Sequence, residues 1–345
     1  MKSIYLIIGI IIVGLAVSAT IIGMQDNPMA VLTGERPYVE IAEAAGFVNT
    51  EPFKLADMIG KKVILVDFMT YSCINCQRTF PHLVSWYDKY KDAGLEIVGI
   101  HTPEFAFEKD KGNVEEAMRE AGITWPIVLD NDYGTWRAYG NNYWPRKYLI
   151  DIEGNIVYDH IGEGAYEETE SKIRELLNQR AAKLGEDVEL PAALASAQIG
   201  EGQNFARSPE TYFGSLRNEN FASGRPGMTG VQSFEKPATP ELNALYLAGE
   251  WDIQPEHAEA RADASVIFRY SAKEVYLVAT SDKDVRVRIL QDGVPGARGG
   301  DVDEEGYLTV REDRLYHILS NPSAGEHVLE IIAPPGLRVF AFTFG

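Results

Sequence analysis

The chain has 345 residues, enough for two domains, and its hydrophobic fraction of 45% and charged fraction of 24% are ordinary for a globular protein. These values argue against intrinsic disorder. With 51 acidic residues against 32 Lys and Arg, the formal net charge is −19, so the surface repels phosphate backbones and nucleic-acid binding is not expected.

An uncharged apolar segment follows the first three residues. It runs from Ile4 to Met24, with Lys2 before it and Asp26 after it. About 20 apolar residues can cross a bilayer as a helix, and the positive end favours the cytoplasm. Val17-Ser18-Ala19 also fits signal peptidase, so residues 1–25 are either a signal anchor or a cleaved signal peptide. The apolar run continues past that tripeptide, which favours an anchor with the rest of the chain outside the cytoplasm.

Residues 26–185 are predicted to form an α/β domain, whose first part, to about residue 50, is predicted to be a spacer. After the spacer, apolar strands alternate with helices, and a hairpin precedes a closing helix, which is typical of a mixed sheet flanked by helices. The predicted strands are 62–69, 95–100, 127–129, 147–151 and 155–158, and the predicted helices are 73–90, 114–121 and 166–183.

The composition changes after residue 185. Residues 186–205 are rich in Ala, Pro and Gly and are predicted to be a linker. From 206 to 345, short β-like runs separated by turn signals predict an all-β sandwich of jelly-roll type. The clearest runs are 244–247, 265–268, 274–278, 285–289 and 328–332.

The chain has only two cysteines, Cys73 and Cys76, in one Cys-Ile-Asn-Cys unit that follows a predicted strand and opens a predicted helix. Unpaired N–H groups and the positive dipole end of a helix N-terminus stabilise a thiolate. We expect Cys73 to attack a substrate disulfide and Cys76 to resolve the mixed disulfide. A structural zinc site would need further Cys or His ligands, and the six histidines show no paired spacing. The pattern favours redox chemistry with no cofactor beyond this pair.

Asp67 and Pro145 are further candidates for this site. Asp67 is a carboxylate in an apolar strand, six residues before Cys73. Burial would raise its pKa and suit it to proton transfer with Cys76, whereas a structural salt bridge is the alternative. Pro145 precedes a predicted strand as either an ordinary edge proline or a cis-proline that exposes backbone to a substrate.

Residues 66–76 resemble the active-site strand and loop of thioredoxins, with the aspartate and first cysteine at the same separation. The resemblance narrows to DipZ-type proteins over about residues 40–180. The matching segments are 71–76, 99–105, 129–133, 139–141, 143–145 and 149–151. This resemblance implies a thioredoxin fold, a cis-proline at Pro145, and electron transfer between a membrane carrier and substrate disulfides. DipZ-type proteins carry a multi-helix electron carrier of CcdA type on the same chain. This sequence departs from them in having one apolar span, so a separate CcdA/DsbD-type carrier is expected.

The C-terminal part resembles the sandwich of DipZ-type proteins, which looks like a carbohydrate-binding module. The supporting segments are 208–214, 249–251 and 341–345. Such modules hold sugars on exposed aromatic faces, so Trp251, Tyr212 and Tyr246 are candidate contacts, with a core or rim position as the alternative for each. Fold likeness alone does not carry function.

The sequence therefore predicts a membrane-tethered, extracytoplasmic thiol–disulfide oxidoreductase acting on protein thiols or disulfides. The family resemblance favours the reductase direction, although the residues alone leave the oxidase direction open. One rival is a peroxidase, because Thr70-x-x-Cys73 is shared with peroxiredoxins, although Val66 stands where those enzymes place a proline. The other rival is a cell-surface adaptor whose sandwich binds glycan or protein and whose thioredoxin domain is a scaffold.

Overall fold

The computed structural model describes residues 36–193, 208–295 and 298–345. The predicted anchor at 1–25 and most of the predicted linker at 186–205 lie outside these ranges. Within the ranges described, no helix combines the length and apolar character that a membrane span requires. Residues Pro37–Gly345 contact one another as one unit, which holds an α/β domain and a β domain.

The described part of the α/β domain contains six strands and four α-helices. The strands are β1 (Gly46–Val48), β2 (Val63–Met69), β3 (Leu95–His101), β4 (Ile127–Leu129), β5 (Arg146–Ile150) and β6 (Ile156–Ile161), and the helices are α1 (Ile74–Tyr90), α2 (Lys111–Glu120), α3 (Gly134–Ala138) and α4 (Tyr166–Leu184). Short 3-10 turns occupy Leu55–Asp57 and Ala106–Lys109. The sheet order is β1-β4-β3-β2-β5-β6, with β2, β3 and β4 parallel and the other pairings antiparallel.

Strand β2 occupies the middle of the sheet because it is apolar on both faces. All seven of its residues are buried, as expected for a continuous apolar run. Val63, Leu65 and Met69 belong to the core cluster that contains Cys76, whereas Ile64, Val66 and Phe68 belong to the cluster on the opposite face. Since side chains alternate between faces along a strand, Asp67 lies on the Cys76 face.

The α/β domain departs from the predicted elements in three places. The residues predicted as a spacer contain β1, which pairs with β4 at the sheet edge and is too short to leave a pattern in the sequence. Helix α2 begins at Lys111, before the predicted start, because the Asp110 carboxylate accepts hydrogen bonds from the backbone N–H groups of Gly112 and Asn113. The five-residue α3 was not predicted.

The β domain is built from antiparallel strand pairings, as the all-β prediction requires. Its strands are β7 (Thr211–Tyr212), β8 (Gly230–Phe234), β9 (Leu245–Ile253), β10 (Ala258–Ala260), β11 (Ala264–Thr280), β12 (Val285–Gln291), β13 (Tyr307–Val310), β14 (Arg314–Ala333) and β15 (Arg338–Phe344). The strand order is β13-β12-β14-β11-β15-β10-β9-β8, with β7 beside β15.

Two long strands organise this domain. The runs predicted at 265–268 and 274–278 are parts of one strand, β11, and the run at 328–332 is the end of the twenty-residue β14. The two strands pair along most of their length, with register shifts near Ala272 and Val275. Such irregularities bend strands, and residues of β9 to β15 share one apolar core.

Candidate active site

The two cysteines occupy different environments at the start of α1. Cys73 is the N-cap residue, and its Sγ accepts a hydrogen bond from the Cys76 backbone N–H, with 3.4 Å between N and S. Both thiols are free, with Cys73 partly exposed and Cys76 buried. Burial, followed by the neighbouring Cys73, raises the pKa of the Cys76 thiol well above its ordinary value. The helix N-terminus therefore presents an accessible thiol, while the inner thiol needs a base before it can react.

Asp67 is placed to serve as that base. It is 2% exposed, and its Oδ1 atom has no hydrogen-bond partner. Burial raises its pKa from 3.8 to about 7, with the charge of Lys147 acting in the opposite direction. The charge of Asp67 in turn raises the pKa of the Cys76 thiol. A buried carboxyl with a pKa near neutrality can accept a proton from the thiol or return it.

Lys147 is a member of this site that sequence reasoning missed. It stands opposite Asp67 in the β2–β5 ladder, so the two side chains lie on the same face of the sheet. Lys147 is fully buried, and its Nζ donates a hydrogen bond to the Gly162 carbonyl oxygen at 3.3 Å. Burial lowers the pKa of Lys147, whereas Asp67 and Cys76 raise it. Its only signal in the sequence was a lysine at the start of the predicted strand 147–151.

Glu108, which sequence reasoning also missed, fixes the loop that leads into Cys73. Its buried carboxylate accepts hydrogen bonds from the hydroxyls of Thr70 (2.5 Å) and Ser72 (2.7 Å). The backbone N–H groups of Ser72 (3.2 Å), Glu104 (2.6 Å) and Phe105 (3.0 Å) donate to it as well. Burial raises the pKa of Glu108, and the hydrogen bonds from Thr70 and Ser72 lower it. One carboxylate thus joins the segments that follow β2 and β3.

The Trp144–Pro145 peptide bond is cis, which confirms the isomer expected for Pro145. It lies immediately before β5, at the same end of the sheet as the cysteines. The Trp144 indole N–H donates a hydrogen bond to the Thr102 carbonyl oxygen at 3.0 Å. This contact holds the segment before β5 against the segment after β3.

A cleft of about 400 Å³ lies over Cys73 between the two domains. From the α/β domain it is lined by Cys73, Ile74, Asn75, Glu104, Asn142, Tyr143 and Trp144, and from the β domain by Ser208, Glu210, Tyr212, Arg217, Thr343 and Phe344. The β domain therefore contributes part of the surroundings of the reactive thiol. Nothing in the sequence indicated this contribution.

The candidate sugar contacts do not form an exposed aromatic platform. The prediction of Trp251 as a sugar contact is wrong, because its side chain is completely buried in the β-domain core. Its indole N–H donates a hydrogen bond to the Ala248 carbonyl oxygen at 3.0 Å. The Tyr212 hydroxyl lies in the interdomain cleft, 2.8 Å from the Glu104 carboxylate. Tyr246 is half-buried on β9. The structure thus places Tyr212 in the cleft that Cys73 also lines, and Trp251 inside the core.

Two alternative chemistries can be compared with this geometry. A peroxidase would use the Thr70 hydroxyl to orient a peroxide, but this hydroxyl donates to Glu108 and lies 3.4 Å from the His101 Nε2 atom. For a metal centre, no group of three or more His, Cys, Asp or Glu side chains is suitably arranged within the described ranges. The arrangement that the site does offer is a dithiol beside a buried carboxyl.

Comparisons with known proteins cover both domains. Residues 40–159 match the AhpC/TSA family, and residues 208–345 match the family described as a thioredoxin-like C-terminal domain. Protein DipZ from Mycobacterium tuberculosis is 39% identical over 304 residues, 87% of this chain and 41% of DipZ. The chain thus spans about two fifths of that relative's length. The thiol-disulfide oxidoreductases YkuV and ResA from Bacillus subtilis are 31% and 32% identical, over 44% and 43% of this chain and 95% and 80% of their own lengths.

Proposed function

This chain belongs to the thioredoxin-like thiol–disulfide oxidoreductases, and we propose that it exchanges two electrons with protein thiols or disulfides through Cys73 and Cys76. The observation that carries the proposal is the asymmetry of the two thiols. Cys73 is accessible at a helix N-terminus, whereas Cys76 is buried near Asp67. The thioredoxin-like fold and the DipZ resemblance inferred from the sequence are confirmed by the relatives.

The exchange proceeds in two displacement steps. The Cys73 thiolate attacks one sulfur of a substrate disulfide, forms a mixed disulfide and releases the other substrate sulfur as a thiolate. Asp67 then takes the proton of Cys76, and the Cys76 thiolate attacks the Cys73 sulfur. The Cys73–Cys76 disulfide forms, the second substrate thiolate leaves, and two electrons have passed to the substrate. The reverse sequence would oxidise a substrate dithiol.

We propose the reductase direction, as the DipZ resemblance favours. The reaction then needs a donor that returns two electrons to the Cys73–Cys76 disulfide, and we propose that a CcdA/DsbD-type membrane carrier is this donor. No further cofactor is required, because thiol–disulfide exchange uses only sulfur atoms and protons.

We propose that the apolar segment Ile4–Met24 tethers the chain, with both domains outside the cytoplasm. The support is the uncharged length of this segment together with Lys2 on its N-terminal side. Protease added to spheroplasts, from which the cell wall and any outer membrane have been removed, should degrade both domains of the full chain. Protection until the cytoplasmic membrane is permeabilised would contradict this location.

Trapping the mixed disulfide tests the reaction. Cys76→Ser should accumulate a covalent adduct between Cys73 and a protein disulfide substrate, because no thiol remains to resolve it. Cys73→Ser is the matched control and should give no adduct, since Cys76 is buried. Adducts in both variants or in neither would contradict the proposal. Catalytic peroxide consumption by the wild type without disulfide exchange would favour the peroxidase instead.

A further inference from the structure

The β domain packs directly on the active-site loop. Ile74, which stands between the two cysteines, is only 6% exposed and shares an apolar cluster with Leu315 and Phe340 of the β domain. The Tyr71 hydroxyl donates a hydrogen bond to the Asp313 carbonyl oxygen at 3.0 Å. The surroundings of the cysteine pair are therefore shared between the two domains.

The cleft that results limits what can reach Cys73. The wall opposite the α/β domain includes Glu210, Tyr212, Arg217 and Thr343. The volume of the cleft, about 400 Å³, is at the small end of the range for ligand sites. The cleft admits a few residues of an extended chain. A folded partner that lies flat usually buries about 800 Å² of each protein, and the wall would block such an approach to Cys73.

The cleft also carries two carboxyl groups, Glu104 and Glu210, that have one nearby cation between them, Arg217. The Tyr212 hydroxyl lies 2.8 Å from a Glu104 oxygen and 2.7 Å from a Glu210 oxygen. A phenol has one proton to donate, so the second of these contacts is best satisfied when a carboxyl is protonated. Arg217 pairs with Glu104 at 2.7 Å. In the part of the chain that the structure describes, no Lys, Arg or His forms an ion pair with Glu210.

The groups around Glu210 set the pH at which it ionises. Burial is the main cause that raises its pKa to about 7, and the charge of Glu104 adds to it. Hydrogen bonds from Tyr212 and Thr343 and the charge of Arg217 act in the opposite direction. Glu210 is therefore neutral below about pH 7 and an anion above it, so a cation that enters the cleft would be stabilised above pH 7.

We propose that the interdomain cleft is the substrate site, and that it selects a disulfide in an extended peptide segment with a basic side chain beside the cysteine, which pairs with Glu210. This inference rests on the proposed function. The ammonium or guanidinium group of the substrate would form the direct ion pair that Glu210 does not make with any residue that the structure describes. The narrow walls would favour unfolded or looped segments over the surfaces of compact proteins.

The test compares peptide disulfides that differ only in the residue beside the cysteine, which is Lys or Glu. The rate of attack by the reduced full chain is measured for each peptide, and a small aromatic disulfide reports the intrinsic reactivity of Cys73. At pH 8 the wild type should prefer the Lys peptide by about tenfold, the value of one charge-assisted hydrogen bond. At pH 6 the preference should be smaller, because Glu210 is then protonated. The ratio of the two rates cancels the thiol's own pH dependence.

Two variants distinguish the effect of the Glu210 charge on the peptide preference from the effect of the protein's overall negative charge. Glu210→Gln should lose most of the preference at pH 8. Glu304→Gln removes the same charge at an exposed position that does not line the cleft, and should keep the preference. Tyr212→Phe removes a hydrogen bond that lowers the pKa of Glu210, so the preference should appear at higher pH. This variant keeps the test decisive if Glu210→Gln does not fold.

Several outcomes would overturn the inference. They are equal rates for both peptides at pH 8, equal losses in Glu210→Gln and Glu304→Gln, or attack on compact protein disulfides as fast as on peptides. If the small aromatic disulfide also fails to react with Cys73, the proposed function itself has failed. If it reacts normally while the peptides show no preference, only the substrate inference has failed.

Discussion

A buried carboxyl group can take the proton of a neighbouring thiol only while the carboxyl is itself ionised. Asp67 has a pKa raised by burial to about 7, so its ionised fraction rises through neutral pH. The rate at which Cys76 resolves a mixed disulfide should therefore rise with pH and show an inflection near pH 7. The resolving step reports on Asp67 at a pH where most carboxylates are already ionised.

Asp67→Asn should slow this step by about 100-fold at pH 8, the usual contribution of a general base, and should remove the inflection. The measurement is rapid quenching and alkylation of a preformed mixed disulfide at Cys73. The attack of Cys73 on a small disulfide serves as the control and should change much less. A variant with the wild-type rate and the wild-type pH profile would show that Asp67 is only structural.

Lys147 influences the pKa of Asp67. Its positive charge lowers the pKa of Asp67, so removing the charge should move the inflection of the resolving step to higher pH. Lys147→Met keeps most of the side-chain volume and loses the charge, while Lys147→Arg keeps the charge. We expect the inflection to move above pH 7 in the Met variant and to stay close to pH 7 in the Arg variant. Identical profiles in both would contradict the electrostatic role.

Among elements, the short 3-10 turn Ala106–Lys109 matters more than its size indicates, because it carries Glu108. Five donors converge on this buried carboxylate, from Thr70, Ser72, Glu104 and Phe105. Removing it would leave those donors without an acceptor in a buried place, and each unsatisfied group costs about 1–3 kcal/mol.

Glu108→Ala should therefore lower the free energy of unfolding by at least about 3 kcal/mol, as measured by urea denaturation of the reduced protein. Glu108→Gln keeps one carbonyl acceptor and most of the shape, so its loss should be smaller. If the Ala variant were as stable as the wild type, the carboxylate would not hold the loop before Cys73.

The same elements show what a sequence can and cannot reveal. Cys73, Cys76 and Asp67 were predictable because a strand buried on both faces, a polar interruption and a helix start each leave a local pattern. Lys147 and Glu108 were not, because their burial depends on ladder register and on a loop contact. Strand β1 was missed since three residues at a sheet edge have no periodicity.

The contact between the two domains was the least predictable feature of the molecule. It joins residues far apart in the sequence, such as Tyr71 and Asp313, and no local pattern records such a pairing. Trp251 was misassigned for a related reason, because an aromatic residue on a β-strand looks the same whether it faces a core or solvent. Both cases depend on tertiary packing.

Phe340 is the aromatic centre of this contact. Its ring lies 5.2 Å from that of Phe105 and 4.9 Å from that of Phe107, measured between centroids. Phe340→Ala should lower the free energy of unfolding by about 3 kcal/mol and should open the cleft over Cys73. Val231→Ala, at a position that is 59% exposed on β8, is the control.

The opening can be measured as the rate at which Cys73 reacts with a polyethylene-glycol maleimide relative to iodoacetamide. Because the β domain forms one wall of the cleft, the reaction rate of the bulky maleimide with Cys73 should increase more than that of iodoacetamide in Phe340→Ala. The control should leave the ratio unchanged. An unchanged ratio in Phe340→Ala would mean that the wall does not restrict access.

Cys73 and Cys76 are proposed to form one reversible redox couple. Its most direct test is a redox titration of the full chain in graded dithiothreitol or glutathione buffers, with the thiol state read by alkylation. We expect a single two-electron transition that is lost in Cys73→Ser and in Cys76→Ser. A potential near −270 mV would support the reductase direction, and one near −120 mV would indicate an oxidant. Thiols whose alkylation does not change with the buffer potential would show that the pair is not a redox couple.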